Sequence, residues 1–343
     1  MNKDNNFSYT PLPEPIPITE QHWPEGTLPL VTTRTITYMH EPFIRECIEG
    51  ILMQKTTFPV EVVIHDDAST DKTADIVREY QAKHPNLIQA IYQKENQFSK
   101  PGKGTMREDI NKLVRGKYIA LCEGDDYWTD PLKLQKQVEF LEGNQVYSAC
   151  FTNAEIKYYD GFDGVKFKYP IESSSRTFYL DEVIMKGGGF YPTASIMFRR
   201  EIADNFKFKP TSRVSGDVVL AAKLALSSNL YYMNNVTCVY RMHQGGVYSS
   251  VLIDKKEYLK TKLCGISFLR ELNQFTNNIY EDVIYKAIDY TLLNLLTFTF
   301  RKSIKWFAYV LFRINLVQLI RVVFFLIREK IFNHKSQNCH III

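Results

Sequence analysis

The chain has no CxxC pair and no Cys/His spacing of the kind that holds zinc, so a structural zinc module is excluded. Its six cysteines, Cys47, Cys122, Cys150, Cys238, Cys264 and Cys339, stand singly and read as reduced thiols, because a cytosolic protein of this size buries free thiols far more often than it bridges them. No GxGxxG follows the first strand-like segment and no Gly-rich, Lys-bearing phosphate loop occurs, which argues against a nicotinamide-dependent enzyme or a nucleotidyltransferase. The opening Met-Asn-Lys-Asp-Asn-Asn lacks the apolar run of a secretory signal, and the expected location is the cytoplasm. Internal repeats are missing. An excess of positive charge is missing over most of the length: from Arg301 onward eight Lys or Arg face one acid, Glu329, so this tail carries +7 and the preceding 300 residues −3, giving the net +4. A slightly acidic body excludes nucleic acid as a partner, since phosphate backbones demand basic clusters.

What is present is an ordinary folded composition, 45% apolar and 23% charged over 343 residues, enough for one catalytic domain with appended segments. Residues 1–29 hold six of the fourteen prolines and no strand or helix period, and read as an extended leader that packs loosely or not at all. Leu30 to Thr37 is rich in β-branched residues. Pro42 to Met53 then places Ile44, Cys47, Ile48, Ile51 and Leu52 on one helical face. Val60 to Ile64 is the next strand, followed by a helix through Ala82 with Ser69, Thr70 and Asp71 as candidate caps. Leu87 to Tyr92 and Tyr118 to Cys122 predict further strands, and Pro131 to Leu141 a helix with Leu134, Val138 and Leu141 on its buried stripe. Beyond Phe151 the pattern weakens into short Tyr-rich strands, then predicts a helix over Val218 to Ala225, a strand over Tyr231 to Tyr240 and helix from Asp254 to Phe300. Strand–helix alternation implies an α/β fold, a mostly parallel sheet flanked by helices, with ligands beyond the carboxyl ends of the strands.

Acidic residues sit at those ends: Asp66-Asp67 after Val60 to Ile64, and Glu123-Gly124-Asp125-Asp126 after Tyr118 to Cys122. Crowded carboxylates repel unless a cation neutralises them, so the second cluster points to Mg2+ or Mn2+. The same Asp125, Asp126 and Asp130 also suit a turn before the helix at Pro131.

The segments TITYMHEPF, VEVVIHDDASTDKT, MREDINKLVRGKYIAL, CEGDDYWTDPLKL, SGDVVL and YRMHQGGVYS, in that order, resemble the motifs of the family 2 glycosyltransferases. The resemblance covers roughly residues 30 to 251 and implies the GT-A fold, Rossmann-like, here with a C-terminal helical extension over 252–300 and a basic tail over 301–343. It assigns Thr37, Tyr38, Glu41, Asp66, Asp67, Arg107 and Asp125 to donor binding. Glu123, Asp125, Asp126 and His243 fall to the metal, and Asp217 to the catalytic base. The sequence departs from the family at Met39, where Asn is usual, at Ala68, where Gly is usual, at Glu108, where Asn often follows the arginine, and at Glu123, a longer arm in place of Asp. The implied activity is inverting, metal-assisted transfer from a nucleotide sugar, a uridine sugar favoured, to a glycan or lipid-linked acceptor. In-line displacement needs a cation for the leaving diphosphate and one carboxylate on the opposite face to take the acceptor's proton. Two other readings accommodate the same acidic motifs: a sugar-nucleotide-binding module without catalysis, or a nucleotidyltransferase on a related sheet. Asp217 also lies where a residue caps the helix at Val218, and His243 reads equally as a solvated loop side chain.

The tail is apolar but interrupted by Arg301, Lys302, Lys305, Arg313, Arg321 and Arg328, and its longest pure run, Trp306 to Phe312, is too short to span a bilayer. Its basic residues fall into two helical sectors, as in amphipathic helices that lie on an anionic membrane surface, and the same pattern suits helices packed against the catalytic domain or a second subunit.

Overall fold

The computed structural model describes residues 7–98, 104–159, 172–187, 189–246, 248–249 and 254–302, with the side chains of 104–108 and 298–302 outside the described set. They divide into a large unit, residues 1–207 with 215–252, and a small one, 208–214 with 253–343.

The large unit alternates as its pattern predicts. Strands β1 (Ile16–Pro17), β2 (Val31–Thr37), β3 (Lys55–Thr56), β4 (Val60–Asp66), β5 (Ile88–Tyr92), β6 (Tyr118–Leu121) and β7 (Tyr127–Trp128) are interleaved with helices α1 (Ile44–Leu52), α2 (Thr73–Lys83), α3 (Gly104–Leu113) and α4 (Lys133–Gly143). After α4 come β8 (Tyr147–Tyr158), β9 (Arg176–Phe178), α5 (Leu180–Lys186), β10 (Met197–Arg199), α6 (Arg200–Asn205), α7 (Gly216–Ser227) and β11 (Asn229–Met242). The main sheet runs β5-β4-β2-β6-β10-β8-β11-β7, with β9 beside β11. Its β5-β4-β2-β6 half is parallel, as is β8 with β11, while β10 enters antiparallel between the two sets.

Burial on both faces explains the near-continuous apolar runs. Tyr118, Ala120 and Cys122 face the core formed with α1, α2 and α4, whereas Ile119 and Leu121 face the other core, under α5 and α7. Each buried aliphatic side chain there contributes roughly 1.5–3 kcal/mol relative to exposure. The helix α1 approaches so closely that a Cβ on Gly50 would lie 2.8 Å from the Trp128 carbonyl oxygen. Glycine is therefore required on that face.

Three features differ from the sequence-based expectations. The leader packs firmly: β1 pairs with β3, Ile18 is buried in the core, and Gln21 Nε2 donates to the Thr56 carbonyl at 2.7 Å. Its prolines prevent regular periodicity without preventing docking. The weak region after Phe151 continues a twelve-residue strand, β8, that begins at Tyr147 and pairs with β11 through register shifts. Finally, Lys133 on α4 is fully buried, its Nζ 2.7 Å from Gln137 Oε1 and 4.3 Å above the Trp128 ring, and burial lowers its pKa to about 8.

The small unit contains two helices, α8 (Lys255–Phe275) and α9 (Glu281–Lys302), as the helical extension requires. Asp254 caps α8 by accepting the Lys256 N–H at 2.7 Å, and Glu271 accepts from the amides and hydroxyls of Thr211 and Ser212. No helix among the described residues is long and apolar enough to cross a membrane. Residues 303–343 of the basic tail lie outside the described set.

Candidate active site

The site gathers at the carboxyl ends of β2, β4 and β6, joined by the end of β11 and the start of α7. The turns after β2 and β4 both pass through the left-handed region, Met39 at φ 56° and Ala68 at φ 63°. These are the positions where Asn and Gly are usual, residues that adopt this conformation cheaply; other side chains incur about 1–2 kcal/mol. Hydrogen bonds between the loops hold them there. Met39 N–H donates to Ser69 Oγ (2.9 Å), His40 N–H to Thr73 Oγ1 (2.9 Å), Glu41 N–H to Asp71 Oδ2 (3.1 Å) and Lys72 N–H to Glu41 Oε2 (3.1 Å). One Glu41 carboxylate oxygen thus helps start α2. The N-cap of α2 is Lys72 and not one of the three residues expected there, but Asp71, one position earlier, accepts the Thr73 N–H through its other oxygen at 3.0 Å.

Of the donor-binding candidates, Thr37 is buried with its hydroxyl unpartnered, and Tyr38 is largely exposed. Asp66 accepts the Ser69 N–H at 3.1 Å through Oδ2, while its buried Oδ1 has no partner. Asp67 is already engaged, accepting the Gln97 N–H (2.7 Å) and the Phe98 N–H (3.0 Å) and so fixing the loop after β5. Arg107 falls on α3, and its side chain lies outside the described residues.

The four residues after Cys122 point in different directions. Asp126 turns into the protein, where its Oδ1 accepts the Arg241 backbone N–H at 2.9 Å, and burial followed by repulsion from Asp125 and Glu123 pushes its carboxyl well above the usual range. Expected among the metal ligands, it serves in this geometry to tie β11 to the acidic loop. The β7–β11 pairing, Trp128 opposite Cys238 and Tyr127 opposite Val239, sets that register. It also carries His243 over Asp125, with Nε2 3.1 Å from Asp125 Oδ2. Burial works against ionisation of Asp125, but His40 and His243 outweigh it and hold its carboxyl below the ordinary value. Glu123 keeps Oε2 buried and unpartnered; burial, then Asp125, then Asp217 raise its pKa to about 8. Gly124 is a second required glycine, since a Cβ there would lie 2.5 Å from Thr37 Oγ1 and 2.8 Å from His40 Nδ1.

Asp217 occupies the first turn of α7, where Ser215 is the N-cap. Its carboxylate makes no side-chain hydrogen bond to a described residue, and its carbonyl accepts the Tyr191 hydroxyl at 3.3 Å. Arg241 is structural: its buried guanidinium donates to the Asp125 carbonyl (2.7 Å) and pairs with Glu46, and burial lowers its pKa to about 10.

Sequence reasoning did not single out His40, whose Nε2 lies 3.7 Å from Asp125 Oδ2. Among the described residues, His40, Asp125 and His243 form a group able to hold a metal ion. A single loop histidine has no periodicity to betray it; only proximity to the other two does.

Comparison with known proteins accords with this geometry. The profile described as glycosyl transferase family 2 matches residues 35–206. An uncharacterised protein of Mycobacterium tuberculosis is 35% identical over 233 residues, 68% of this chain and 64% of its own length, so the chain spans less than two thirds of that relative. The putative teichuronic acid biosynthesis glycosyltransferase TuaG of Bacillus subtilis is 29% identical over 65% of this chain and 82% of its own. Among solved structures, Staphylococcus aureus TarS 1-349 in complex with UDP-GlcNAc superposes with a TM-score of 0.54 at 19% identity, covering 82% of this chain and 90% of that one. The mannosyltransferase PcManGT of Pyrobaculum calidifontis, in complex with GDP-Man and Mn2+, gives a TM-score of 0.51 at 18% identity, covering 94% and 92%. The architecture is thus the GT-A fold. With a family profile over half its length, the chain belongs to glycosyl transferase family 2.

Proposed function

We propose that this protein is an inverting, metal-assisted glycosyltransferase that moves the sugar of a nucleoside diphosphate sugar, uridine the favoured nucleoside, to a hydroxyl of a glycan or lipid-linked acceptor, with the nucleoside diphosphate as leaving group. The observation that carries this reading is the set of buried carboxylate oxygens without protein partners, Asp66 Oδ1 and Glu123 Oε2, at the carboxyl edge of parallel strands. Buried polar atoms are almost always satisfied, so orphans gathered at one edge mark where a polar ligand belongs.

Asp66 Oδ1 is an acceptor suited to an N–H on a nucleobase. Asp125 and His243 offer a carboxylate oxygen and an imidazole nitrogen side by side, a donor set that fits a divalent ion of the manganese or magnesium kind. A cation held there would neutralise the charge developing on the departing diphosphate. The Asp217 carboxylate then takes the proton of the attacking hydroxyl, from a helix start located by Tyr191. One in-line displacement inverts the anomeric carbon. The basic tail would keep the enzyme beside lipid-linked acceptors on the cytoplasmic membrane face, and co-sedimentation of the full chain with anionic vesicles tests that part.

The central test is thermal stabilisation by uridine, guanosine and thymidine sugar nucleotides with and without Mn2+, because a ligand that binds only the native state raises its stability. Stabilisation by one base class, followed by transfer to yield the inverted anomer in nuclear magnetic resonance, is the expected result. No stabilisation by any of them would sink the proposal.

A further inference from the structure

Two imidazoles, not one, face the Asp125 carboxylate. His243 Nε2 lies 3.1 Å and His40 Nε2 3.7 Å from the same oxygen, Oδ2, and the three ligand atoms all fall within 4.8 Å of one another. Neighbouring positions around an ion with bonds of about 2.1 Å are about 3.0 Å apart in an octahedron and about 3.4 Å in a tetrahedron. The shorter edge at Asp125 is close to the octahedral spacing and the two edges lie on either side of the tetrahedral one, so small rotations of side chains bring three ligands onto one ion.

The fold holds His40 for this position. Its N–H is anchored on Thr73 at the start of α2, and its carbonyl accepts from the amides of Phe43 and Ile44 at the start of α1. The Phe43 ring packs on both imidazoles, with centroids 4.7 Å from His243 and 6.5 Å from His40. Behind the ring, Gly124 leaves no room for a side chain, and His40 Nδ1 is buried there without a partner. Among the described residues, the nitrogen facing Asp125 at 3.7 Å is the ring's one polar approach.

We propose that His40 completes a two-histidine, one-carboxylate centre with Asp125 and His243, and that this nitrogen-rich set selects manganese and later first-row ions over magnesium. The proposal rests on the reading of the site as a sugar-nucleotide transferase centre and names the cation that centre takes. The physical ground is ligand chemistry. Magnesium demands oxygen donors and gives up water reluctantly, whereas imidazole favours transition ions, with affinity rising from manganese toward cobalt. A second imidazole also leaves the ion held by protein alone, before any nucleotide arrives. It joins the loop carrying Tyr38 and Met39 directly to the metal.

The experiment uses the full chain with MnCl2 or MgCl2 as the probe and no nucleotide present. Calorimetry should show Mn2+ binding at least about tenfold tighter than Mg2+. Pulsed electron paramagnetic resonance of bound Mn2+ should show nitrogen modulation from two coordinated imidazoles. His40→Ala should reduce this to one and weaken Mn2+ about tenfold or more, since direct ligands matter at least as much as the outer partners that cost that much. One imidazole on wild-type Mn2+, or equal affinity for the two ions, overturns the centre. That wild-type count decides the matter even if the variant does not fold. Two imidazoles on Mn2+ in a protein that no sugar nucleotide stabilises, when each is added separately, would overturn the transferase reading and leave the centre standing. Sugar transfer with a single coordinated imidazole would do the reverse.

Discussion

The strands β2, β4 and β6 treat polar groups in opposite ways at their two ends. At the amino end, buried Glu61 is saturated: Oε1 accepts from Thr32 Oγ1 (2.6 Å) and the Arg115 N–H (2.7 Å), and Oε2 accepts from Arg115 Nε and Nη2 at 2.7 Å each. Thr32 Oγ1 in turn accepts the Gly116 N–H at 2.9 Å. At the carboxyl end, atoms as deeply buried have no partner: Thr37 Oγ1, His40 Nδ1, Asp66 Oδ1 and Glu123 Oε2. Leaving a buried polar atom unpaired costs roughly 1–3 kcal/mol. One end therefore uses its polar groups for stability, and the other bears a cost that a ligand would relieve.

The strongest way to break this contrast is at Asp217. Asp217→Asn keeps size and much hydrogen bonding but accepts no proton, so turnover should fall about two to four orders of magnitude with donor affinity kept. Turnover within a few-fold of the parent would place the base elsewhere. Next comes the acidic loop, where two neighbours should behave differently. Asp125→Ala should lower Mn2+ affinity about a hundredfold, while Asp126→Asn, which still offers an oxygen to the Arg241 N–H, should change it only a few-fold. Equal losses in calorimetry would mean that both carboxylates touch the ion.

At the amino end, Glu61→Ala should cost about 2–3 kcal/mol in denaturant unfolding by stranding Thr32 and the Arg115 amide, with donor affinity unchanged in the folded fraction. A loss of affinity without a loss of stability would erase the distinction between the ends. The pH dependence is a gentler test. Metal-free Glu123 keeps its proton to about pH 8 when folded, against an ordinary value of 4.5. The folded state then holds the extra proton between those limits, and its stability falls as pH rises through them. Glu123→Gln should flatten the slope of melting temperature over pH 5 to 8, and an unchanged slope would assign the effect to another group. The smallest effect is expected at Met39→Asn, which relieves left-handed strain at a turn and should add under about 1 kcal/mol. Destabilisation there would show that the Met39 Sδ contact with Thr70 matters more than the backbone does.

Much of the parallel half was legible because β2, β4 and β6 are buried on both faces and the helices α1, α2 and α4 carry a single apolar stripe. The ends of β4 and β6 were legible because acidic pairs directly follow apolar runs. The strand β8 was not, since its parallel partner β11 comes some 80 positions later and the register shifts break any simple alternation. The opposite orientations of Asp125 and Asp126 were equally hidden. They follow from the β7–β11 pairing, which no local pattern encodes. His40 lay beside assigned residues, but its role needs a carboxylate 85 positions away. The firm docking of the leader escaped because proline composition reports on periodicity and not on buried side chains.

That leader changes where the catalytic body can be cut. Composition places a boundary at residue 29, yet the Leu12 N–H donates to the Thr57 carbonyl, the Ile18 N–H to the Gln54 carbonyl, and Gln54 Nε2 to the Asp130 carbonyl just before α4. A truncation beginning at residue 30 would uncover Ile18's pocket and free one edge of the short segment bracing the end of α1 against the start of α4. The shortest version worth expressing therefore begins before Leu12, and affinity tags belong ahead of that point.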